Sequence, residues 1–321
     1  MLTILLFLAA CFVAFTNGAN ANFKGVASLY GSGTVSLRTA LYWGTATTFA
    51  GSIAAAFLAG GLITAFGGRG IVPDTLAQSP VFLTSVALGA ALTSFLATRL
   101  GFPVSTTHAL VGALLGAGLA GSGTAGVNLA ALGTNFFYPL FFSPVVAVVL
   151  GGVTYLLLRL LRLAPDQPNR TLDVLHFLSA GAASFARGLN DTPKMAALLL
   201  AIPGLSGPWS VVIVAVFIAL GGLLDADKVA ETLGKKVTDM SPGQGFAASL
   251  VTAGLVMTAS FHRMPVSTTH VSVGSLLGIG ITTGQAHWRK VVEILLAWFT
   301  TVPCGATLAA VAYYAISALA R

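Results

Sequence analysis

Charge is scarce in this chain. Only 8% of its 321 residues are charged, with nine acids against 16 lysines and arginines. A soluble domain carries about 25% charged residues, so an ordinary water-covered surface is excluded. No lysine or arginine precedes Lys24. A secretory signal would need a positive n-region there, so Leu2–Thr16 reads as a retained first helix, although Leu8-Ala9-Ala10-Cys11 resembles a lipoprotein cleavage site. Cysteine is limited to Cys11 and Cys304, both in apolar segments, and their spacing suggests neither a metal-ligand set nor a disulfide framework. Blocks of like charge are also missing. The basic residues behind the net charge of +7 are scattered among short loops, which points to membrane topology rather than a nucleic-acid partner.

What the chain has in abundance is apolar sequence. Hydrophobic residues make up 56% of it and its mean hydropathy is +0.89, so it is an all-α polytopic membrane protein whose surroundings are a lipid bilayer. It also has a motif that occurs twice. Pro103-Val104-Ser105-Thr106-Thr107-His108 returns as Pro265-Val266-Ser267-Thr268-Thr269-His270, and the agreement runs on from Val111 and Gly112 to Gly118, against Val273 and Gly274 to Gly280. Proline and hydroxyl residues suit a helix start. The Gly-rich run behind each copy is too short for a confident span of about 20 apolar residues, so each copy reads as a re-entrant hairpin.

In chain order, Leu2–Thr16 runs into the polar stretch Asn17–Gly25. Backbone of that kind is tolerated at membrane depth only where it is buried or lines a cavity. Thr39–Phe66 and Leu76–Thr98 are spans, and the first hairpin covers Pro103 to about Gly123. Val127–Leu163 is too long for one crossing at about 1.5 Å per residue, and is expected to fold as two helices near Pro139 or Pro144. Arg159, Arg162 and Arg170 flank a Pro-rich linker, placed on the cytoplasmic side with the N-terminus outside. Leu172–Ala186 then meets Arg187–Lys194, Trp209–Leu224 is a span, Asp225–Gln244 is a charged loop, Phe246–Phe261 is a span, the second hairpin follows, and Val291–Leu319 ends the chain. Asn20 matches Asn190 at an offset of 170 residues, and the hairpins match at 162. Residues 1–163 and 172–321 therefore read as two repeats joined by the linker 164–171. If each crosses the bilayer an odd number of times they are inverted, each with a broken helix and a hairpin, and a binding site is expected between them near the midplane.

The chemistry gathers on those motifs. Helix N-termini attract anions, and Ser105, Thr106, Thr107, Ser267, Thr268 and Thr269 add neutral donors. With Lys24 and Lys194 nearby they would make an oxyanion site suited to a tetrahedral anion. The alternative is that the hydroxyls only cap helices. Asp191 is the one acid well inside an apolar-flanked motif, where a carboxylate is costly unless paired. It is read as holding a coupling cation with the Asn20 and Asn190 carbonyls, carrying a proton, or pairing with Lys194 or Arg187. His108 and His270 are read as proton relays or as histidines satisfied by a hairpin carbonyl.

Together, the doubled PVSTTH motif, Gly18-Ala19-Asn20 and Gly188-Leu189-Asn190-Asp191 resemble the PiT family of inorganic phosphate transporters over nearly the full length. The resemblance implies two inverted repeats, two re-entrant hairpins, roughly ten full crossings, and symport of phosphate with sodium or protons. It puts Asn20, Asn190 and Asp191 on the family's Asn-Asp signature and the Ser-Thr-Thr triplets on its phosphate-contacting hairpin ends. The chain departs where the family typically has Asp and this sequence has Ala21, and where it typically has Asn and this sequence has Lys24 and Lys194.

The expectation is thus a secondary transporter of the cell membrane that imports phosphate by alternating access, with no cofactor beyond a sodium or proton coupling ion. A possible sodium ion at Asp191 is the only metal foreseen. The runner-up is a proton-coupled permease for sulfate or a related oxyanion. No nucleophile–base pair or metal-ligand cluster supports an enzyme, and Asp191 within a cationic site argues against a passive channel. Oligomeric state, a homo-oligomer included, stays open.

Overall fold

The computed structural model describes residues 1–58, 63, 66–163, 169–205 and 207–320. Among these the chain is almost entirely helical, with isolated bridges but no strand. Helix α1 spans Leu2–Ala21 and passes into a 3₁₀ turn, Asn22–Gly25. Then come α2 (Ala27–Gly31), α3 (Leu37–Leu58), α4 (Asp74–Ala77), α5 (Pro80–Arg99) and α6 (Thr106–Ser122). Next are α7 (Leu129–Leu132), a π-helical turn over Gly133–Phe137, and α8 (Tyr138–Leu160). The second half holds α9 (Arg170–Leu199), α10 (Pro208–Leu224), α11 (Asp227–Lys235), α12 (Pro242–Phe261), α13 (Thr268–Thr283) and α14 (Trp288–Leu319).

Helix starts follow local chemistry. Pro80 and Pro208 open α5 and α10, where the missing N–H removes no bond. Ser241 and Gln244 form a capping box on α12. The Asn169 side chain accepts from Thr171 N at 2.9 Å to cap α9.

Several sequence expectations need correction. Val127–Leu163 does not split at Pro139 or Pro144. Residues Leu129–Leu160 form one 32-residue span, and its irregularity falls earlier, in the π turn, with Pro144 inside α8. Asp225–Gln244 is not simply a loop, because α11 occupies its centre and bends by 72° from α10. The first polar segment does interrupt its helix, but the second does not: α9 runs on through Asn190–Lys194 with Pro193 inside it. Gly25, a poor helix former, stands where the second copy has Met195. A Cβ at Gly25 would also strike Ser184 of α9. Most of the linker expected at 164–171 lies outside the described residues.

Five helices are long and apolar enough to cross a bilayer among the described residues, or six if the bent pair α10–α11 counts as one, where the resemblance implied roughly ten. Helices α6 and α13, at 17 and 16 residues, are short of a span, and α9 carries Arg170, Asp173, Arg187, Asp191 and Lys194. The outer helices α8 and α14 expose Phe141, Phe142, Leu156 and Phe299, a surface suited to lipid.

The stretch from Pro103 to about Gly123 does not double back on itself as expected, and neither does its second copy: each is a single helix, α6 or α13, and a hairpin is completed only by the preceding span, α5 or α12, packed against it. Residues 100–105 and 262–267 connect them and carry the doubled motif. The two halves are interlocked. A Cβ at Gly18 would run into the Ile218 carbonyl, and one at Gly188 into that of Thr48. Gly221 and Gly51 meet the Phe15 and Phe185 carbonyls in the same way. Every one of these pairs is related by 170 residues, so α1 crosses α10 as α9 crosses α3. The hairpin helix α6 likewise packs on α14, and α13 on α8.

Candidate functional site

At each hairpin end the chain arrives extended and turns into a helix on a serine. The Ser105 and Ser267 hydroxyls accept from His108 N and His270 N, both at 3.1 Å. These two serines are therefore N-caps, as the bland reading had it. The threonines after them face a buried polar cluster.

Lys24 and Lys194 enter that cluster from the polar segments and are both almost wholly buried. Lys24 Nζ donates to Val104 O at 2.7 Å, to Thr269 Oγ1 at 2.5 Å and to Asn20 Oδ1 at 3.2 Å. Lys194 Nζ donates to Val266 O at 2.9 Å, to Thr107 Oγ1 at 2.8 Å and to Asp191 Oδ1 at 2.9 Å. Each ammonium spends its three N–H donors the same way. One goes to a carbonyl of its own half's hairpin, one to the second threonine of the other half's hairpin, and one to its own segment. The threonines cross as well, with Thr269 donating to Val104 O at 2.8 Å and Thr107 to Val266 O at 3.3 Å.

Asp191 has both oxygens engaged. Oδ1 holds Lys194, while Oδ2 accepts from Thr268 Oγ1 at 3.1 Å and lies 3.5 Å from Arg187 Nε. Arg187, 2% exposed, was weighed from sequence only as a partner for Asp191. Here it also donates to Asn17 Oδ1 at 2.6 Å and to Asn22 Oδ1 at 3.3 Å. Asn17 in turn donates to Thr106 Oγ1 at 3.0 Å. Sequence reasoning left Asn17 out, although the 170-residue offset sets it against Arg187 and so marks a charge in one copy only. Three buried basic side chains, Lys24, Arg187 and Lys194, stand against one carboxylate.

Asn20 Nδ2 donates to Thr98 Oγ1 at 3.0 Å and to Phe102 O at 2.9 Å, and its Oδ1 accepts from Val104 N at 3.0 Å. Asn190 sits beside the cluster. Its Nδ2 donates to Ser260 Oγ at 2.9 Å, and its Oδ1 has no partner among the described residues. The His108 and His270 rings lie 4.4 Å apart between the hairpins. The carbonyl near His270 Nδ1 is that of Leu140 on α8, at 3.3 Å, rather than one from a hairpin. Trp298 stacks on His270 at 3.8 Å and donates to Pro103 O at 2.9 Å. Among the described residues no three His, Cys, Asp or Glu side chains are grouped as a metal site.

The cluster brings together the ammonium, guanidinium and hydroxyl donors that an anion would need. Relatives agree with that chemistry. The chain is 30% identical to a probable low-affinity inorganic phosphate transporter of Rhizobium meliloti (strain 1021), over 97% of this chain and 95% of the relative. It is 28% identical to a protein of the same description from Bacillus subtilis (strain 168), over 99% and 98%. Its fold superimposes on a structure described as the sodium-dependent phosphate transporter with a TM-score of 0.83 at 23% identity, covering 98% and 99% of the two chains. The protein is a multi-pass membrane transporter and not an enzyme. Residues 17–309 match the profile of the phosphate transporter family, and the chain belongs to that family.

Proposed function

We propose that this chain imports inorganic phosphate across the cell membrane by cation-coupled symport with alternating access. The two repeats would rock about one anion held between the hairpin ends. The observation that carries this reading is the gathering of three buried basic side chains against one carboxylate beside Thr106, Thr107, Thr268 and Thr269, an excess of two positive charges when all three are protonated. A phosphate dianion matches that charge. Its four oxygens would take over the ammonium and hydroxyl donors that now hold the hairpin carbonyls, aided by the helix N-termini behind them.

Phosphate is favoured over sulfate by the acceptors. A phosphate dianion keeps one P–OH, which must donate; Asp191 and the Val104 and Val266 carbonyls can receive that proton. Sulfate brings none and would leave a buried acceptor unmatched. The names of the relatives point the same way.

The driving cation in this reading is the proton. Both Asp191 oxygens already contact a cation or a hydroxyl, which favours a proton over a sodium ion at this carboxylate. The Lys24 and Lys194 ammonium groups take the electrostatic place such an ion would fill. Asp191 accepts the coupling proton once Lys194 turns to the anion. The linker is placed on the cytoplasmic side and the N-terminus outside.

Sulfate remains the second reading, because two lysines replace the family's usual asparagines. Counterflow of labelled phosphate in proteoliposomes tests both. Exchange that a tenfold excess of sulfate leaves largely intact supports phosphate; exchange that sulfate suppresses as well as unlabelled phosphate does would move the chain to sulfate.

A further inference from the structure

Behind Lys24 lies a cavity of about 10 Å³, room for one water. Four hydroxyl residues line it, Ser28, Ser249, Thr252 and Ser272, together with Lys24. A water needs two to four polar partners, and this lining supplies them. The cavity is continuous with a chain of bonded side chains that leads away from the anion cluster. Ser28 Oγ and Ser249 Oγ are 2.7 Å apart, and either can be the donor. His176, fully buried on α9, has Nε2 2.9 Å from Ser28 Oγ and Nδ1 3.3 Å from Thr34 Oγ1. Thr34 pairs with Ser32 at 2.8 Å, and both are half-buried. On the inner side, Ser272 stands one helical turn beyond Thr268, whose hydroxyl donates to Asp191.

A buried histidine needs a partner on each ring nitrogen; what sets this one apart is that both partners are hydroxyls, which can pass a proton on. Here the two ring nitrogens bond hydroxyls on opposite sides, one leading inward and one outward. Its first-half counterpart at the 170-residue offset is Leu6, so the chain belongs to one repeat and breaks the pseudo-symmetry of the site. The groups around the ring are neutral. Helix α12 meets it at Gly245 and carries no charge along its length, and the α2 tyrosine, Tyr30, packs on Gly234 of α11 instead. The charged residues of the ring's own helix are Arg170 and Asp173 at its start and Arg187, Asp191 and Lys194 further along it; those of the neighbouring elements are Arg38 at the start of α3 and Lys24 across the cavity.

We propose that Thr34, His176, Ser28, Ser249 and a water in the Ser272 cavity form the path by which the coupling proton passes between Asp191 and one face of the protein. The step is a relay. A proton arrives at one ring nitrogen as the other releases its own to the next hydroxyl; each hydroxyl accepts one and gives one, so nothing is consumed. Rotation of the ring resets it for the next proton. His176 is thus a positioning residue for proton transfer and touches no anion.

The inference rests on the proton-coupled reading above, and its test separates the two. Wild-type protein and the His176→Gln and Ser28→Ala variants are placed in proteoliposomes loaded with a fluorescent pH indicator; Ser28 both bonds the ring and lines the cavity, so its hydroxyl cannot be bypassed. Phosphate counterflow, which needs no net proton movement, is measured beside uptake driven by an inward proton gradient. Both variants should keep counterflow within about twofold of wild type and lose tenfold or more of gradient-driven uptake and of the accompanying acidification. Ser28→Ala leaves the ring in place, so a folding defect of the histidine variant cannot decide the result. Gradient-driven uptake unchanged in both variants would overturn the relay. Wild type that exchanges phosphate yet moves no protons would overturn the relay and proton coupling together, leaving phosphate transport intact. Wild type with no counterflow would overturn the transport reading itself.

Discussion

At the scale of single residues, the site turns on Asp191 and the two lysines. A buried carboxylate held by two cations loses its place when its charge is removed, at a cost of about 3–5 kcal/mol for breaking such a pair. Asp191→Asn should therefore lose concentrative phosphate uptake at least tenfold while keeping part of its exchange. Unchanged uptake would remove Asp191 from coupling. Lys194→Gln withdraws a charged donor worth about 1.5–3 kcal/mol, so the phosphate KM should rise roughly tenfold to hundredfold. A KM within twofold of wild type would contradict its contact with the anion. Lys24→Asn with Ala21→Asp restores the commoner family pattern, and sodium-stimulated uptake gained by that double variant would support the substitution of ammonium for sodium. These residues were legible in the sequence because a charge or hydroxyl run inside an apolar segment stands out against its neighbours. Arg187 was legible only as a partner for Asp191, and Asn17 was passed over as one more polar residue in the interruption. His176 was not legible at all, since a lone histidine near a helix start differs from a core histidine only in what its two nitrogens touch.

At the scale of elements, the doubled motif works as a helix start whose cap holds the threonines in register. Replacing an N-cap serine by alanine costs about 1 kcal/mol. Ser105→Ala and Ser267→Ala should each lower the thermal midpoint in detergent by a few degrees, with a proportionate loss of phosphate affinity. A fall in affinity without any change in midpoint would mean the serines bind the anion directly. Gly188→Ala would drive a Cβ into the Thr48 carbonyl where α9 crosses α3. Overpacking of that kind costs about 1–3 kcal/mol, and the variant should unfold at lower temperature; an unaltered midpoint would show that the crossing has slack. The sequence carried the doubled motif and most spans, because long apolar runs and a six-residue identity are hard to misread, but each stretch read as a hairpin is one helix that pairs with the span before it. It misled at the Asp225–Gln244 segment, where charged residues on a short amphipathic helix look like a loop. It also misled at Pro139 and Pro144, where α8 absorbs both prolines without the chain turning back. Proline forbids one hydrogen bond, and which helix tolerates that is decided by tertiary packing.

At the scale of the whole molecule, the halves read from the sequence are clasped rather than side by side. Helices α1 and α10, α9 and α3, α6 and α14, and α8 and α13 each join one half to the other. The internal offsets of 170 and 162 residues predicted two copies, but offsets say nothing about which copy's helices touch, and the exchange appears only in space. Each lysine consequently bonds both hairpins, so a movement of one repeat against the other must break Lys24–Thr269 or Lys194–Thr107. In the proposed cycle, an anion that takes over those donors would lower the cost of the movement and so couple binding to it. The central claim, that fixed ammonium groups stand where a bound sodium ion would and leave the proton to drive phosphate, is tested most directly by one comparison. Accumulation of labelled phosphate is measured in proteoliposomes of the wild-type protein under an inward proton gradient without sodium, and under an inward sodium gradient without a pH difference. Accumulation under the proton gradient alone is the predicted result; accumulation that requires sodium would contradict the account.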